Sequence, residues 1–75
     1  MTRTYQGQTI FDAAMLRGRR HNLGYTLEDV EVYASISRSA LCDYENGRSE
    51  PTLRVLCRLA QALDMHPGEL LKDPR

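Results

Sequence analysis

Residues 37–46, SRSALCDYEN, place hydrogen-bonding side chains at the spacing of one helical face. Ser37 is a residue type that begins helices, and in a helix that starts there positions 38, 39, 42, 43 and 46 share one side. A guanidinium on that side can donate two parallel hydrogen bonds to guanine, and a carboxylate can accept one from cytosine. This face therefore has the chemistry to read base edges in a DNA major groove. The alternative is a solvated helix face.

We predict four base-reading residues on this helix. Arg38 could bond guanine, Ser39 could reach a base edge or a phosphate, and Ala40 could lie against a thymine methyl or allow close approach. Asp43 could accept from cytosine or pair with a neighbouring arginine. It could also mark a helix that no longer reads DNA, because a carboxylate near a helix C-terminus opposes the helix dipole and is repelled by phosphates.

Contacts to the DNA backbone would come from a loop and from arginines outside this helix. Gly47 supplies the positive φ that the turn after the helix needs, and Asn46 and Arg48 beside it could bond phosphate. Further candidate phosphate ligands are Arg17, Arg19 and Arg54. Each of these could instead be a solvated side chain. Arg3 could reach an adjacent groove from a polar N-terminal arm, residues 1–8, although a mobile tail is the alternative.

The overall charge argues mildly against promiscuous polyanion binding. Ten basic and ten acidic side chains cancel, whereas nucleic-acid binders are more often basic. Specific DNA binding stays open because charge can be segregated by face. Cys42 and Cys57 lie fifteen residues apart without a CxxC pair. This spacing favours neither a disulfide framework nor a zinc site. We predict no metal site, no cofactor and no catalytic arrangement of side chains, so we do not expect an enzyme.

Length and hydropathy indicate one small domain. Seventy-five residues lie near the lower limit at which an apolar core supports a fold without help. No signal peptide and no transmembrane stretch is visible, so we expect a cytoplasmic protein with reduced thiols and no membrane partner. Cys57 is interpreted as a small, partly buried apolar residue.

Caps and apolar periodicity predict five short helices and no strand. The first helix is expected to begin at the N-cap Thr9 and to end near Asn22. The second is expected at about 26–34 and the third at about 37–46. A fourth follows Thr52, with Leu53, Leu56, Leu59 or Ala60, and Leu63 on its apolar face. A last short helix should start at Pro67, a residue suited to the first helical position.

The second and third predicted helices, joined by a short turn, are the elements of a helix-turn-helix. The segment TLEDVEVYASISRSALCDYENGRSEPTLRVLCRLAQALDMHPGELL resembles the phage-repressor and Cro-type (XRE-like) helix-turn-helix family. The resemblance covers about residues 10–71, and the ordered set ISRSAL, YENGRSEPTL, LAQAL and ELL is its most specific part. It implies an all-α, five-helix lambda-repressor-like domain over residues 9–75.

The resemblance also implies a function. Family members are typically dimeric, operator-binding transcription regulators, so we expect a homodimer on palindromic double-stranded DNA, with two third helices in major grooves about 34 Å apart. Autoregulation of a phage, plasmid, restriction-modification or toxin–antitoxin locus would suit so short a chain. RNA polymerase and a toxin are candidate further partners. The alternative is a protein-interaction module, such as an antitoxin, that keeps this scaffold with weak or no DNA binding.

Two structural roles complete the prediction. Family members often hold a glutamate at the position of Glu45 that bonds an arginine of the first helix, and Arg20 occupies the matching place. Such a clamp would fix the angle of the third helix, whereas the alternative is two unrelated surface charges. The dimer interface is expected in the C-terminal part, where apolar residues should remain exposed once the core is filled. Its predicted members are Leu56, Met65, Pro67 and Leu71.

Three residues depart from the family pattern. Leu27 stands where a glutamine commonly begins the second helix, and Ser35 replaces the usual turn glycine, which requires a strained φ or a different turn. Glu31 replaces a small residue at the approach of the second and third helices. It must bend outward, find a cation or force a wider crossing. These departures, with Asp43 and the neutral charge, favour the interaction-module alternative somewhat.

Overall fold

The computed structural model describes residues 9–73, which contain four α-helices, one 3-10 helix and one pair of short strands. The α-helices are α1 (Ala13–Asn22), α2 (Leu27–Ala34), α3 (Arg38–Glu45) and α4 (Leu53–Ala62). The strands are β1 (Ile10–Phe11) and β2 (Leu71–Lys72), and the 3-10 helix spans Pro67–Leu70. The predicted arm at 1–8, with Arg3, and the last two residues of the predicted domain lie outside the described residues.

Side-chain caps begin α2, α3 and α4 at the predicted residues. Thr26 accepts a hydrogen bond from the Asp29 N–H at 3.0 Å, and the Asp29 carboxylate accepts one from the Thr26 N–H at 2.9 Å. Ser37 and Thr52 each accept a hydrogen bond from the backbone N–H three residues on. These caps satisfy N–H groups that have no partner inside the helix, so the helix starts are encoded locally.

The N-terminal prediction is wrong in two respects. Thr9 is not the N-cap of α1, because Asp12 accepts the hydrogen bond from the Met15 N–H at 3.0 Å. The preceding Ile10–Phe11 is a strand that pairs antiparallel with Leu71–Lys72. Two-residue strands are too short to show the alternation by which strands are recognised in a sequence. The last predicted helix is a 3-10 turn, with Pro67 at its start as expected.

The core fills the space enclosed by all four α-helices and the 3-10 helix. Its fully buried side chains are Leu16, Val30, Leu41, Leu59, Leu63 and Leu70. Full burial of each such side chain contributes about 1.5–3 kcal/mol relative to exposure. Leu41 is the α3 member of this set, so one side of α3 is sealed against the core and the opposite side faces outward.

Burial corrects three predictions for α4. Leu53, expected on the apolar face, is 74% exposed, and Cys57 is exposed rather than partly buried. Leu56, predicted at the dimer interface, is only 4% exposed and belongs to the core. A side chain that fills the core of its own protomer offers almost no surface to a second copy. Leu56 is therefore withdrawn from the predicted interface.

A tight turn joins α2 to α3 and completes the helix-turn-helix. Ser35 ends α2 in the left-handed region, with φ 56° and ψ 50°. The Glu31 carbonyl accepts hydrogen bonds from the N–H groups of both Ser35 and Ile36. Ser35 thus adopts the strained φ that replacement of a glycine requires, and the buried Ile36 anchors the turn.

Candidate nucleic-acid interface

The outward side of α3 brings together most of the predicted base-reading residues. Arg38 and Ser39 are exposed at the N-terminal end of the helix, and Asp43 is half-buried one turn later. Ala40 is half-buried and packs against the core, so it is less available to a ligand than Arg38 and Ser39. The surface that α3 offers to solvent is therefore polar, with a cation at its start and an acid further along.

Two of these residues are held by ion pairs. The Arg48 Nη1 lies 3.1 Å from Asp43 Oδ1 and donates a hydrogen bond to it, which agrees with the pairing alternative for Asp43. The Arg38 Nε lies 3.6 Å from Glu31 Oε1, so Glu31 has found a cation across the turn. Exposed pairs of this kind contribute only about 0–1 kcal/mol to folding. Their main effect is to orient the side chains of Arg38 and Arg48.

A buried ion pair holds the far end of α3. Arg20 Nε donates to Glu45 Oε2 at 2.6 Å, and Arg20 Nη2 donates to Glu45 Oε1 at 3.1 Å. The two side chains are 11% and 7% exposed, respectively. A third guanidinium nitrogen, Nη1, donates to the Tyr25 carbonyl at 3.0 Å. One arginine thereby ties α1 to the α1–α2 loop and to α3, and the planar two-point contact restricts the angle of α3.

The loop after α3 has the predicted glycine geometry. Gly47 has φ +74°, a value that side chains with a Cβ rarely adopt. The Asn46 side chain donates from Nδ2 to the Cys42 carbonyl at 2.8 Å, so it caps the end of α3. Arg48 is exposed, and Asn46 is also at the surface. The N–H groups of Asn46, Gly47 and Arg48 all donate to carbonyls of α3. The loop therefore offers a ligand the exposed Arg48 side chain rather than backbone donors.

The remaining predicted phosphate ligands divide into two kinds. Arg17 and Arg54 are exposed, and neither forms an ion pair within residues 9–73. Arg19 instead donates from Nε to the Leu63 carbonyl at 2.9 Å and from Nη2 to the Asp64 carbonyl at 3.0 Å. Two of its nitrogens therefore satisfy carbonyl groups at the end of α4, which favours a structural capping role for Arg19 over the predicted phosphate contact.

A shallow cleft beside α3 contains a residue that the sequence reasoning did not assign to the interface. It runs from the end of α1 past the start of α2 to Arg38, and it includes Arg17 and His21. His21 Nε2 lies 3.2 Å from Arg20 Nη2. The i, i+4 spacing of Arg17 and His21 on α1 was the available signal that both share one face.

Among residues 9–73, no group of three or more histidine, cysteine, aspartate or glutamate side chains is arranged to hold a metal ion. In the same range, no helix has the length and apolarity needed to cross a bilayer.

Similarity to known proteins agrees with this geometry. A family model described as helix-turn-helix matches residues 16–70, which is more than half of the chain. A putative HTH-type transcriptional regulatory protein of Saccharolobus islandicus is 32% identical over 59 residues, which cover 79% of this chain and 18% of that protein. The chain thus spans less than a fifth of the length of this relative.

Two solved structures share the fold. The restriction-modification controller protein C.AhdI from Aeromonas hydrophila is 31% identical, with a TM-score of 0.74 over 77% of this chain and 88% of its own. The P22 c2 repressor, solved with a synthetic operator, is 27% identical, with a TM-score of 0.78 over 83% of this chain and 94% of its own. Together with the family match, these similarities show that the chain belongs to the XRE-type helix-turn-helix family of transcription regulators.

Proposed function

We propose that this chain is a sequence-specific DNA-binding transcription regulator that reads a palindromic operator through the major groove as a homodimer. The observation that carries the proposal is how α3 is held against the rest of the domain. Leu41 seals its inner side, and the Arg20–Glu45 pair holds its far end. Arg38 and Ser39 are then presented outward at the end of the helix that usually contacts base edges.

The local charges support DNA binding despite the neutral total. Two acids at this face, Glu31 beside Arg38 and Asp43 on α3, are each paired with an arginine. Arg17 and Arg54 carry exposed positive charge with no ion pair in residues 9–73, so we assign them, with Arg48 and the loop of Asn46 and Gly47, to the phosphates. The similarity to the P22 c2 repressor, which was solved with an operator, supports DNA binding in general.

The dimer is proposed to form through the C-terminal part of the domain. Leu71 is exposed although its backbone is paired in β2. Met65 and Pro67, which precede it by a few residues in the chain, are half-buried. A two-fold dimer reads two identical half-sites, so a palindromic operator follows from its symmetry. Autoregulation of a phage, plasmid, restriction-modification or toxin–antitoxin locus is part of the proposal, and the likeness to a restriction-modification controller protein supports it.

A second candidate function is a protein-interaction module such as an antitoxin, with weak or no DNA binding. The exposed apolar pair on α2, Val32 at 69% and Tyr33 at 56%, favours it. Such a module would bind a toxin or RNA polymerase without reading bases.

Selection of duplexes from a random pool at about 0.1 M salt separates the two functions, because at that ionic strength long-range charge attraction is largely screened. The proposal expects enrichment of a palindrome with half-sites one helical turn apart. Arg38→Ala should reduce the base preference at one position in each half-site. Arg58→Ala, which removes an exposed arginine from α4, should leave the base preference at every position unchanged. No enrichment by the folded protein would contradict the DNA-reading function and favour the interaction module.

A further inference from the structure

Glu31 is fixed at the junction of α2 and α3. Its carbonyl accepts hydrogen bonds from the Ser35 and Ile36 N–H groups, so its backbone cannot shift without breaking the turn. Its helix neighbours Val30 and Ala34 are 0% and 2% exposed, which prevents α2 from rotating about its axis. The Glu31 carboxylate therefore projects from a rigid position across the turn towards the first residue of α3.

The contact between Glu31 and Arg38 constrains one edge of the guanidinium. The carboxylate Oε1 faces Nε at 3.6 Å, and both side chains stay partly exposed, at 37% and 55%. A guanidinium has five N–H donors in a fixed fork. With Nε facing Glu31, the Nη1 and Nη2 donors are left to meet a ligand. Two parallel donors are what a bidentate bond to guanine O6 and N7 requires.

We propose that Glu31 is a positioning residue that determines specificity at the base read by Arg38. The inference rests on the proposed function. Glu31 does not touch the base; it orients the guanidinium so that one bidentate geometry is favoured over the many that a long side chain could adopt. Specificity is the difference in affinity between the correct and the wrong base, and the favoured geometry stabilises only the complex in which Arg38 meets the correct base.

Glu28 provides a matched control. It lies on the same helix one turn earlier, is exposed, and lines the cleft that also contains Arg38. It forms no ion pair within residues 9–73. Glu31→Gln and Glu28→Gln each remove one negative charge from the same side of α2. Both should therefore raise affinity for a non-specific duplex to a similar extent, because less charge opposes the phosphates.

The experiment measures base preference at each operator position for the full chain and for both variants. Glu31→Gln should reduce the preference at the Arg38 position by about three- to tenfold, part of the discrimination that a bidentate pair supplies. Glu28→Gln should leave this preference unchanged. Glu31→Asp retains the charge but withdraws it by one methylene, so it should also weaken the preference. In an Arg38→Ala background, Glu31→Gln should have no further effect at that position.

Equal loss of preference in Glu28→Gln and Glu31→Gln would overturn the inference, since the effect would then be general charge. An unchanged preference in Glu31→Gln would also overturn it and leave the proposed function intact. Failure of the unmodified chain to select any duplex would contradict the proposed function itself and the role of Glu31 with it. Circular dichroism melting of each variant separates these results from loss of folding.

Discussion

Arg20 in α1 and Glu45 in α3 form a two-point ion pair, with N–O distances of 2.6 and 3.1 Å, although 25 residues separate them in the chain. Both side chains are largely withdrawn from solvent. Because the same guanidinium also bonds the Tyr25 carbonyl, the first helix, the following loop and the third helix share one fixed point. The geometry explains how a helix of eight residues can be presented at a defined angle.

Removing one partner of this pair should be more damaging than removing both. Arg20→Met leaves the Glu45 carboxylate buried without a counter-charge, which costs about 3–5 kcal/mol. Domains have a total stability of only about 5–15 kcal/mol, so this variant should lose a large share of its free energy of unfolding. The double variant Arg20→Met, Glu45→Leu should recover most of the loss. Urea unfolding followed by circular dichroism measures both, and a double variant no more stable than the single one would contradict this account.

Replacing Ser35 by glycine should stabilise the protein. Ser35 has φ 56°, where a side chain is strained and glycine is not. We expect Ser35→Gly to raise the free energy of unfolding by about 0.5–1 kcal/mol, since glycine removes the strain but has a larger unfolded-state entropy. Ser35→Ala keeps the Cβ and should give no gain. A thermal melt that places the two variants at the same midpoint would show that strain at this turn is negligible.

The two neighbouring arginines of α1 should respond differently to mutation. If Arg17 contacts a phosphate, Arg17→Ala should reduce the slope of log affinity against log salt concentration by about 0.9. Arg19→Ala should leave that slope unchanged and lower stability by about 1–3 kcal/mol, because it removes hydrogen bonds from the Leu63 and Asp64 carbonyls. Operator titrations at several salt concentrations, with urea unfolding, test both. A changed slope in Arg19→Ala would return that residue to the interface.

The proposed dimer surface can be tested with one substitution at two leucines. Leu71→Glu should give monomers in sedimentation velocity, because a carboxylate in an apolar interface is expensive to bury. Leu53→Glu makes the same change at a more exposed leucine at the start of α4 and should leave the dimer intact. Dimers that persist in Leu71→Glu, or dissociate only in Leu53→Glu, would move the interface away from the C-terminal part.

Local features of the structure were predictable from the sequence. The starts of α2, α3 and α4 depend on Thr26, Ser37 and Thr52, whose hydroxyls bond N–H groups three residues away. The turn at Gly47 likewise follows from a single residue that tolerates positive φ. Such features involve neighbours in the chain, so the local residue pattern contains the information. The outward placement of Arg38 and Ser39 follows from the same helical spacing.

Features that join distant segments were not predictable in this way. The pairing of Ile10–Phe11 with Leu71–Lys72 and the hydrogen bonds from Arg19 to the end of α4 appear only once the chain has closed on itself. Leu53 and Leu56 both fit the apolar periodicity predicted for α4, yet Leu56 is buried in the core and Leu53 is exposed. The amino-acid sequence by itself determined where α2, α3 and α4 begin and which polar side chains lie along α3. The family resemblance implied the pair of Arg20 and Glu45. Only the tertiary structure decided that Glu31 meets Arg38, because partners on two different helices are set by how those helices cross.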